Sequence, residues 1–355
     1  MGTQSLKSKK GEIQFRKKVS EQQVDGKHIF RDELDSKNIE GVLLNRMKET
    51  YKHVSLLKRN GITVSPYLEL GAERCQRSLV MENDLGASGA AVDISFYSLK
   101  SCDHYRSVFK KSKMPLRICC DAYNLPFMAG SIPFAFCYET LHHFPDPTPI
   151  VKEIHRVLSP GGHFFFDEEP FARIFHLNLY EGRKLYSEES MGAGIMKRMA
   201  DRLFAKRSCN ELEHGIVEND ELSVTQWRRA LSFFDNKNVK LKTNLGMEYE
   251  LLRPTNYVKF ILAYLGGGLF GGKVSAFCRK SGELTKGILK INEALICPSC
   301  TEDGLESKLV WKGSSLQCTH CDREFPVVGD VVFLFSYSKL QSLYPEVFDR
   351  VHANQ

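Results

Sequence analysis

Residues 67–78 read YLELGAERCQRS. An apolar strand runs into Glu69 and Gly71, and helical character resumes over 74–85. A strand that turns sharply through glycine into a helix is the opening unit of a wound α/β sheet, because the turn must bring backbone close to whatever the strand's end contacts. Upstream, Val42, Leu43, Met47, Tyr51, Val54 and Leu57 recur at helical spacing, and Gly61 ends that helix. Downstream, GAAVDIS (89–95), LRICCDA (116–122), IPFAFCYE (132–139) and HFFFDEEP (163–170) read as further strands, separated by amphipathic stretches at 96–110 and 147–159. NVKLKTNL (238–245) and KVSAFCRK (273–280) complete a set of seven.

Strands alternating with helices predict parallel pairing through right-handed crossovers, hence an α/β, doubly wound, mostly parallel sheet of seven strands. Ligands of such sheets lie at the carboxyl ends of the strands. Those ends carry Glu69, Asp93, Asp121 and Glu139, with Asp167 to Glu169 after the fifth strand. Each acid could instead cap a helix, but acids at five successive strand ends are not scattered surface charge.

YLELGAERCQRS, AVDIS, CDAYNLPF, YETLHHFPDP and EIHRVLSPGG, in this order, resemble the class I S-adenosylmethionine-dependent methyltransferases, type 11-like, over roughly 40–280. The resemblance implies a Rossmann-like sheet and a cofactor held by Glu69, Gly71 and Ala72 at the first strand's turn, Asp93 and Ile94 at the ribose, Asp121 and Ala122 at the adenine, and Glu139 after the fourth strand. The sequence departs from the family at the turn, where Glu73 and Cys75 stand in place of the second and third glycines. Side chains there would narrow the space for the methionine part, while Arg74 could offset the added acid or bind the cofactor carboxylate.

His142 and His143 are adjacent, and no carboxylate or cysteine stands at a metal-ligand spacing from them. The Pro145-Asp146-Pro147 run favours a turn leading into a helix. The resemblance makes the segment a loop bordering the transferred methyl, and the sharper expectation is general-base catalysis by His142 or His143.

CPSC (297–300) and CTHC (318–321) give C-x2-C-x17-C-x2-C, a zinc spacing. Cys297, Cys300, Cys318 and Cys321 would close a tetrahedral thiolate shell, so structural Zn2+ is expected. With REFPVVGDVVFLF (323–335), the knuckles resemble the small Trm112-like zinc proteins, which implies a ribbon fused to the methyltransferase domain and packed on it in cis.

The expected organisation is a basic irregular arm over 1–38, a methyltransferase domain over 39–284 with a helical insertion or lid at 171–222, and a zinc-ribbon domain over 285–355. Eleven cysteines in 355 residues fit a reducing cytoplasm better than a disulfide scaffold. The apolar run FILAYLGGGLFGG (260–272) is too short to span a bilayer and reads as a Gly-rich connection, with an interfacial segment as the other reading. Residues 1–60 hold 14 Lys and Arg against 8 Asp and Glu. That excess and the basic stretch at 104–117 motivate an RNA acceptor, although no aromatic–glycine RNA-binding signature is present. The expected function is methyl transfer to a small-molecule or lipid-like acceptor. The alternatives are RNA (tRNA or rRNA) methylation and a non-catalytic cofactor-binding or scaffolding module.

Overall fold

The computed structural model describes residues 5–24, 36–171, 180–181, 205–206, 216–217, 219, 222–243, 246–252, 256–284 and 290–352. Its helices are α1 (Leu6–Val24), α2 (Ser36–Arg59), α3 (Gln76–Asn83), α4 (Phe96–Lys100), α5 (Cys102–Val108), α6 (Thr148–Val157), α7 (Val224–Ala230), α8 (Tyr257–Phe270), α9 (Pro298–Glu302), α10 (Tyr337–Leu343) and α11 (Pro345–His352). The strands are β1 (Tyr67–Leu70), β2 (Gly89–Asp93), β3 (Leu116–Cys120), β4 (Ile132–Tyr138), β5 (Leu158–Pro170), β6 (Tyr180–Glu181), β7 (Ala205–Lys206), β8 (Asn236–Thr243), β9 (Glu248–Glu250), β10 (Gly272–Arg279), β11 (Leu309–Lys312), β12 (Ser315–Cys318), β13 (Glu324–Phe325), β14 (Val327–Val328) and β15 (Val331–Leu334).

Ten strands form one sheet in the order β14-β15-β3-β2-β1-β4-β5-β10-β8-β9. The run from β15 to β5 is parallel, and β10, β8 and β9 close that side with antiparallel pairs. The architecture is therefore the expected mostly parallel, doubly wound, Rossmann-like one, but the sheet has ten strands rather than seven. The seven expected strands form its centre. β9 adds a hairpin partner to β8, and β14 and β15 come from the C-terminal segment. Within 285–355, then, the region read as a separate ribbon supplies two strands to the main sheet.

Alternation along the strands sets the core. Leu68, Leu70, Val92, Ala135, Cys137, Phe164 and Phe166 pack on one face with Ile150, Val151 and Ile154 of α6. Tyr67, Phe134, Phe136 and Tyr138 point to the other face, against Met47 and Val54 of α2 and Val80 of α3. Trp227 of α7 is fully buried and stacks on Phe166 with centroids 5.0 Å apart. Each such side chain withdrawn from water contributes about 1.5–3 kcal/mol.

Two expectations are corrected. The arm expected to be irregular contains α1, in which Ile13, Phe15 and Val19 are buried among otherwise polar residues. With so few apolar positions, its periodicity is weak. The Gly-rich connection at 260–272 is instead mostly helix, α8. There glycine permits close approach: a Cβ on Gly267 would lie 3.2 Å from the Phe171 ring and 3.3 Å from Leu241. The insertion or lid expected at 171–222 falls mainly outside the described residues. No helix among the described residues is long and apolar enough to cross a membrane.

Candidate functional site

Strand order reverses between β1 and β4, so the crevice of this sheet opens at their carboxyl ends. The register brings three of the expected acids to that edge on adjacent strands. Glu69 pairs with Ala91, Asp93 pairs with Cys119, and Asp121 follows β3 directly.

The turn after β1 keeps a glycine-like backbone without its glycines. Gly71 has φ +64°, and a Cβ there would lie 2.5 Å from Thr140 Oγ1. Glu73 and Cys75, at the positions of the missing glycines, also take positive φ, 50° and 56°. That conformation is uncommon for residues with a Cβ. Ala72 is buried and its N–H donates to Val92 O at 3.0 Å. The Glu73 N–H donates to Asp93 Oδ2 at 3.0 Å. The Glu73 carboxylate receives Arg46 at 3.0 Å and Arg74 at 2.7 Å. Burial pushes this carboxyl up, but Arg74, Arg46 and Arg16 outweigh it and bring it down to about 2. Arg74 is thus the counter-ion of the added acid.

Glu69 is buried and accepts from Ser78 Oγ, and burial raises its pKa to about 7 against the pull of Ser78 and Arg77. Asp93 accepts Ser95 N–H at 2.8 Å on one oxygen and Glu73 N–H on the other. Burial raises it to about 6. Ile94 O accepts from Tyr344 Oη at 2.6 Å, and Ala122 packs partly buried on the main core. Asp121 Oδ2 lies 2.7 Å from Lys9 Nζ of α1 and 3.2 Å from Lys339 Nζ of α10. Burial opposes ionisation there, but Lys9 and Lys339 hold this carboxyl below its usual range. Glu139 takes φ +48° and pairs with Arg46 Nη2 at 2.8 Å, so Arg46 bridges the β1 turn and the β4 end.

The histidine segment forms a 3-10 turn, Leu141–His143, and Glu169 at the end of β5 organises it. The fully buried Glu169 carboxylate accepts the N–H groups of Thr140, Leu141 and His142 at 2.8, 2.9 and 3.1 Å. It also lies 2.9 Å from His142 Nδ1. Burial raises its pKa, but the His142 contact and the backbone donors prevail and leave it lowered. An ionised carboxylate has no proton to give, so Nδ1 is the donor and Nε2 the basic nitrogen. His143 rests 4.3 Å from the His142 ring and its Nδ1 lies 3.2 Å from Val217 O.

Cys297, Cys300, Cys318 and Cys321 converge, with all four Sγ atoms within 4.8 Å of one another. Cys297 to Cys321 and Cys300 to Cys318 both measure 3.7 Å. A tetrahedron with metal–sulfur bonds of about 2.3 Å has edges of about 3.8 Å, so the donors fit a zinc ion in both type and spacing. Among the described residues, the histidines form no such cluster.

Sequence reasoning missed the basic partners. Lys9, Arg46 and Lys339 come from distant segments, and no local pattern marks them. Glu169 was visible as a strand-end acid, but its grip on the histidine turn depends on β5 lying beside β4.

Residues 68–166 match the methyltransferase domain family. An uncharacterized chloroplastic methyltransferase of Arabidopsis thaliana is 34% identical over 119 residues, 31% of this chain and 33% of its own length. Sterol 24-C-methyltransferase of Schizosaccharomyces pombe is 23% identical over 127 residues, 36% of this chain and 33% of its own. The chain thus spans about a third of the length of these curated relatives. Among solved structures, a SAM-dependent methyltransferase from Methanosarcina mazei is 21% identical, with a TM-score of 0.36, over 61% of this chain and 92% of that one. At that score the likeness adds nothing to the strand order described above.

Proposed function

We propose that this chain is an S-adenosylmethionine-dependent methyltransferase acting on a small-molecule or lipid-like acceptor in a reducing, cytoplasmic setting. The observation that carries the proposal is the coincidence of the methyltransferase-domain match over 68–166 with a crevice whose edge bears Glu69, Asp93 and Asp121. The cofactor would supply an electrophilic methyl group on a sulfonium. Glu69, Gly71 and Ala72 would hold its amino-acid end, Asp93 and Ile94 its ribose, Asp121 and Ala122 its adenine, with Glu139 at the rim. The positive φ at Glu73 and Cys75 supports this reading, because the backbone path of a Gly-rich turn is kept although the glycines are not.

For the protein, methyl transfer consists of aligning an acceptor atom behind the methyl and keeping water out. His142 or His143 would act as the general base, removing the proton of a hydroxyl or protonated nitrogen. Glu169 positions the His142 ring. A lipid-like acceptor is supported by α8, which exposes Tyr257, Val258, Ile261, Leu262 and Leu265 and leads into β10 beside the carboxyl end of β5. The sterol methyltransferase relative points the same way. The RNA reading loses part of its motive, since Lys9 of the basic arm is turned inward onto Asp121. The four cysteines would hold a structural zinc in a Trm112-like ribbon that packs on the sheet in cis.

Two measurements test the proposal. Calorimetry with S-adenosylmethionine should show binding, and none up to millimolar cofactor would defeat it. Labelled cofactor incubated with fractionated, ribonuclease-treated extract should label the small-molecule or lipid fraction. Label confined to RNA in untreated extract would replace the acceptor class.

A further inference from the structure

Helix α1 lies along the same edge of the sheet that the proposed function gives to the cofactor. Lys9 Nζ sits 2.7 Å from Asp121 Oδ2 and 4.8 Å above the Tyr123 ring. One turn on, Ile13 is buried in one apolar cluster with Ala72 and Cys75 of the β1 turn. A further turn on, the Arg16 guanidinium is held charged, since Glu12, Glu73 and Asp93 outweigh its burial. Lys17 lies 5.6 Å over the Tyr97 ring of α4. The helix therefore reaches the residue assigned to adenine, then the turn, and sets the Arg16 charge within the field of Asp93, assigned to the ribose. Between α1, the β1 turn and α4 a cavity of only about 10 Å³ remains, bordered by Arg16, Val19, Glu73, Arg74 and Tyr97. Sites for molecules of cofactor size run to roughly 300–1,000 Å³.

We infer that α1 is a strap that competes with the cofactor for the adenosine end of its own cleft. The inference rests on the methyltransferase reading. The competition is chemically specific. Asp121 Oδ2 accepts N–H donors, and the Lys9 ammonium stands where an exocyclic adenine amine would donate. Lys339 Nζ shares Oδ2 with Lys9 at 3.2 Å and the Tyr123 N–H donates to Oδ1 at 3.1 Å, so displacing Lys9 leaves the acid oriented. Ile13 is buried in the same apolar cluster as the turn that the methionine part must approach, so entry requires the helix to lift, not one side chain to swing. Apparent affinity is then the intrinsic affinity reduced by the fraction of molecules with α1 lifted. Whatever draws α1 away, such as an acceptor surface or a partner, would load the enzyme.

The test uses the full chain with S-adenosylhomocysteine as probe. Lys9→Ala removes one charge-assisted contact of the strap and should tighten binding roughly tenfold by calorimetry. Lys10→Ala, exposed on the same helix, should leave it unchanged. Trypsin reads the helix directly: S-adenosylhomocysteine should speed cleavage at Lys9, Arg16 and Lys17 in the wild type. Equal or weaker binding by Lys9→Ala overturns the strap while leaving the methyltransferase reading intact. So does slower cleavage with ligand, which would make α1 a clamp over the bound cofactor. Absence of binding by both proteins up to millimolar probe overturns the methyltransferase reading and the strap with it. Binding by Lys9→Ala alone supports both.

Discussion

Glu169 gives the sharpest quantitative expectation. Its carboxylate is fully buried and accepts four donors, three from the backbone of the Thr140–His142 turn and one from His142 Nδ1. Hydrogen bonds to a charged group contribute about 1.5–3 kcal/mol each, and a buried donor left without an acceptor costs about 1–3 kcal/mol. Neighbouring bonds do not add in full. Glu169→Ala, which orphans all four donors, should therefore cost about 4–6 kcal/mol, comparable with the whole stability of many domains. Glu169→Gln keeps one acceptor oxygen and turns an NH2 toward backbone N–H groups, for a loss of about 2–3 kcal/mol. Urea unfolding followed by Trp227 fluorescence suits the measurement, because that ring stacks on Phe166 of the same strand. The pH dependence has a definite sign. The Glu169 pKa is lowered in the fold, so its contribution is complete above the ordinary carboxyl value of 4.5 and disappears as pH falls through the folded value. The gap between wild type and Glu169→Gln should be full at pH 7 and narrow as pH falls below 4.5. A loss below about 1 kcal/mol at pH 7, or a gap that ignores pH, would refute the carboxylate's role in holding the turn.

Other outcomes follow from the same geometry. Glu69 is raised to about 7 in the fold, so its protonated form is favoured below the unfolded value and that advantage fades as pH rises through 7. Glu69→Gln should accordingly unfold at a higher temperature than wild type at pH 8, with the difference shrinking by pH 4. Gly71→Ala places a Cβ 2.5 Å from Thr140 Oγ1 at φ +64° and should cost about 1–3 kcal/mol in denaturant titrations. Asp93→Ala frees the Glu73 and Ser95 N–H groups and should weaken cofactor binding by calorimetry far more than Asp103→Ala; equal effects would misplace the ribose end. Cys300→Ser should lose zinc by elemental analysis and lower the melting temperature.

The central strands were legible because each is a short apolar run ended by an acid, and parallel strands buried on both faces read that way. The cysteine spacing was legible for a similar reason, since two knuckles are local. What could not be read is pairing between distant segments. LRICC shows nothing at Asp121 to say that Lys9 and Lys339 will reach it, 112 residues upstream in the case of Lys9. Glu73 and Cys75 looked like obstructions in the turn. Instead the backbone holds both in the left-handed region, and the Glu73 side chain is drawn off by Arg46 and Arg74. The helix at 257–270 was obscured by its three consecutive glycines, of which Gly267 lets it press against Phe171 and Leu241.

The pairing of β15 with β3 bears on how the chain is made. Arg117 of β3 and Gly329 beside β15 meet across 212 residues. During synthesis the outer edge of β3 has no neighbour until β15, more than 200 residues later, has left the ribosome. Contacts of such long separation form slowly, and an open strand edge invites pairing with other chains in the meantime. Nascent chains halted before residue 331 should be clients of chaperones, and those extended past 334 should escape them.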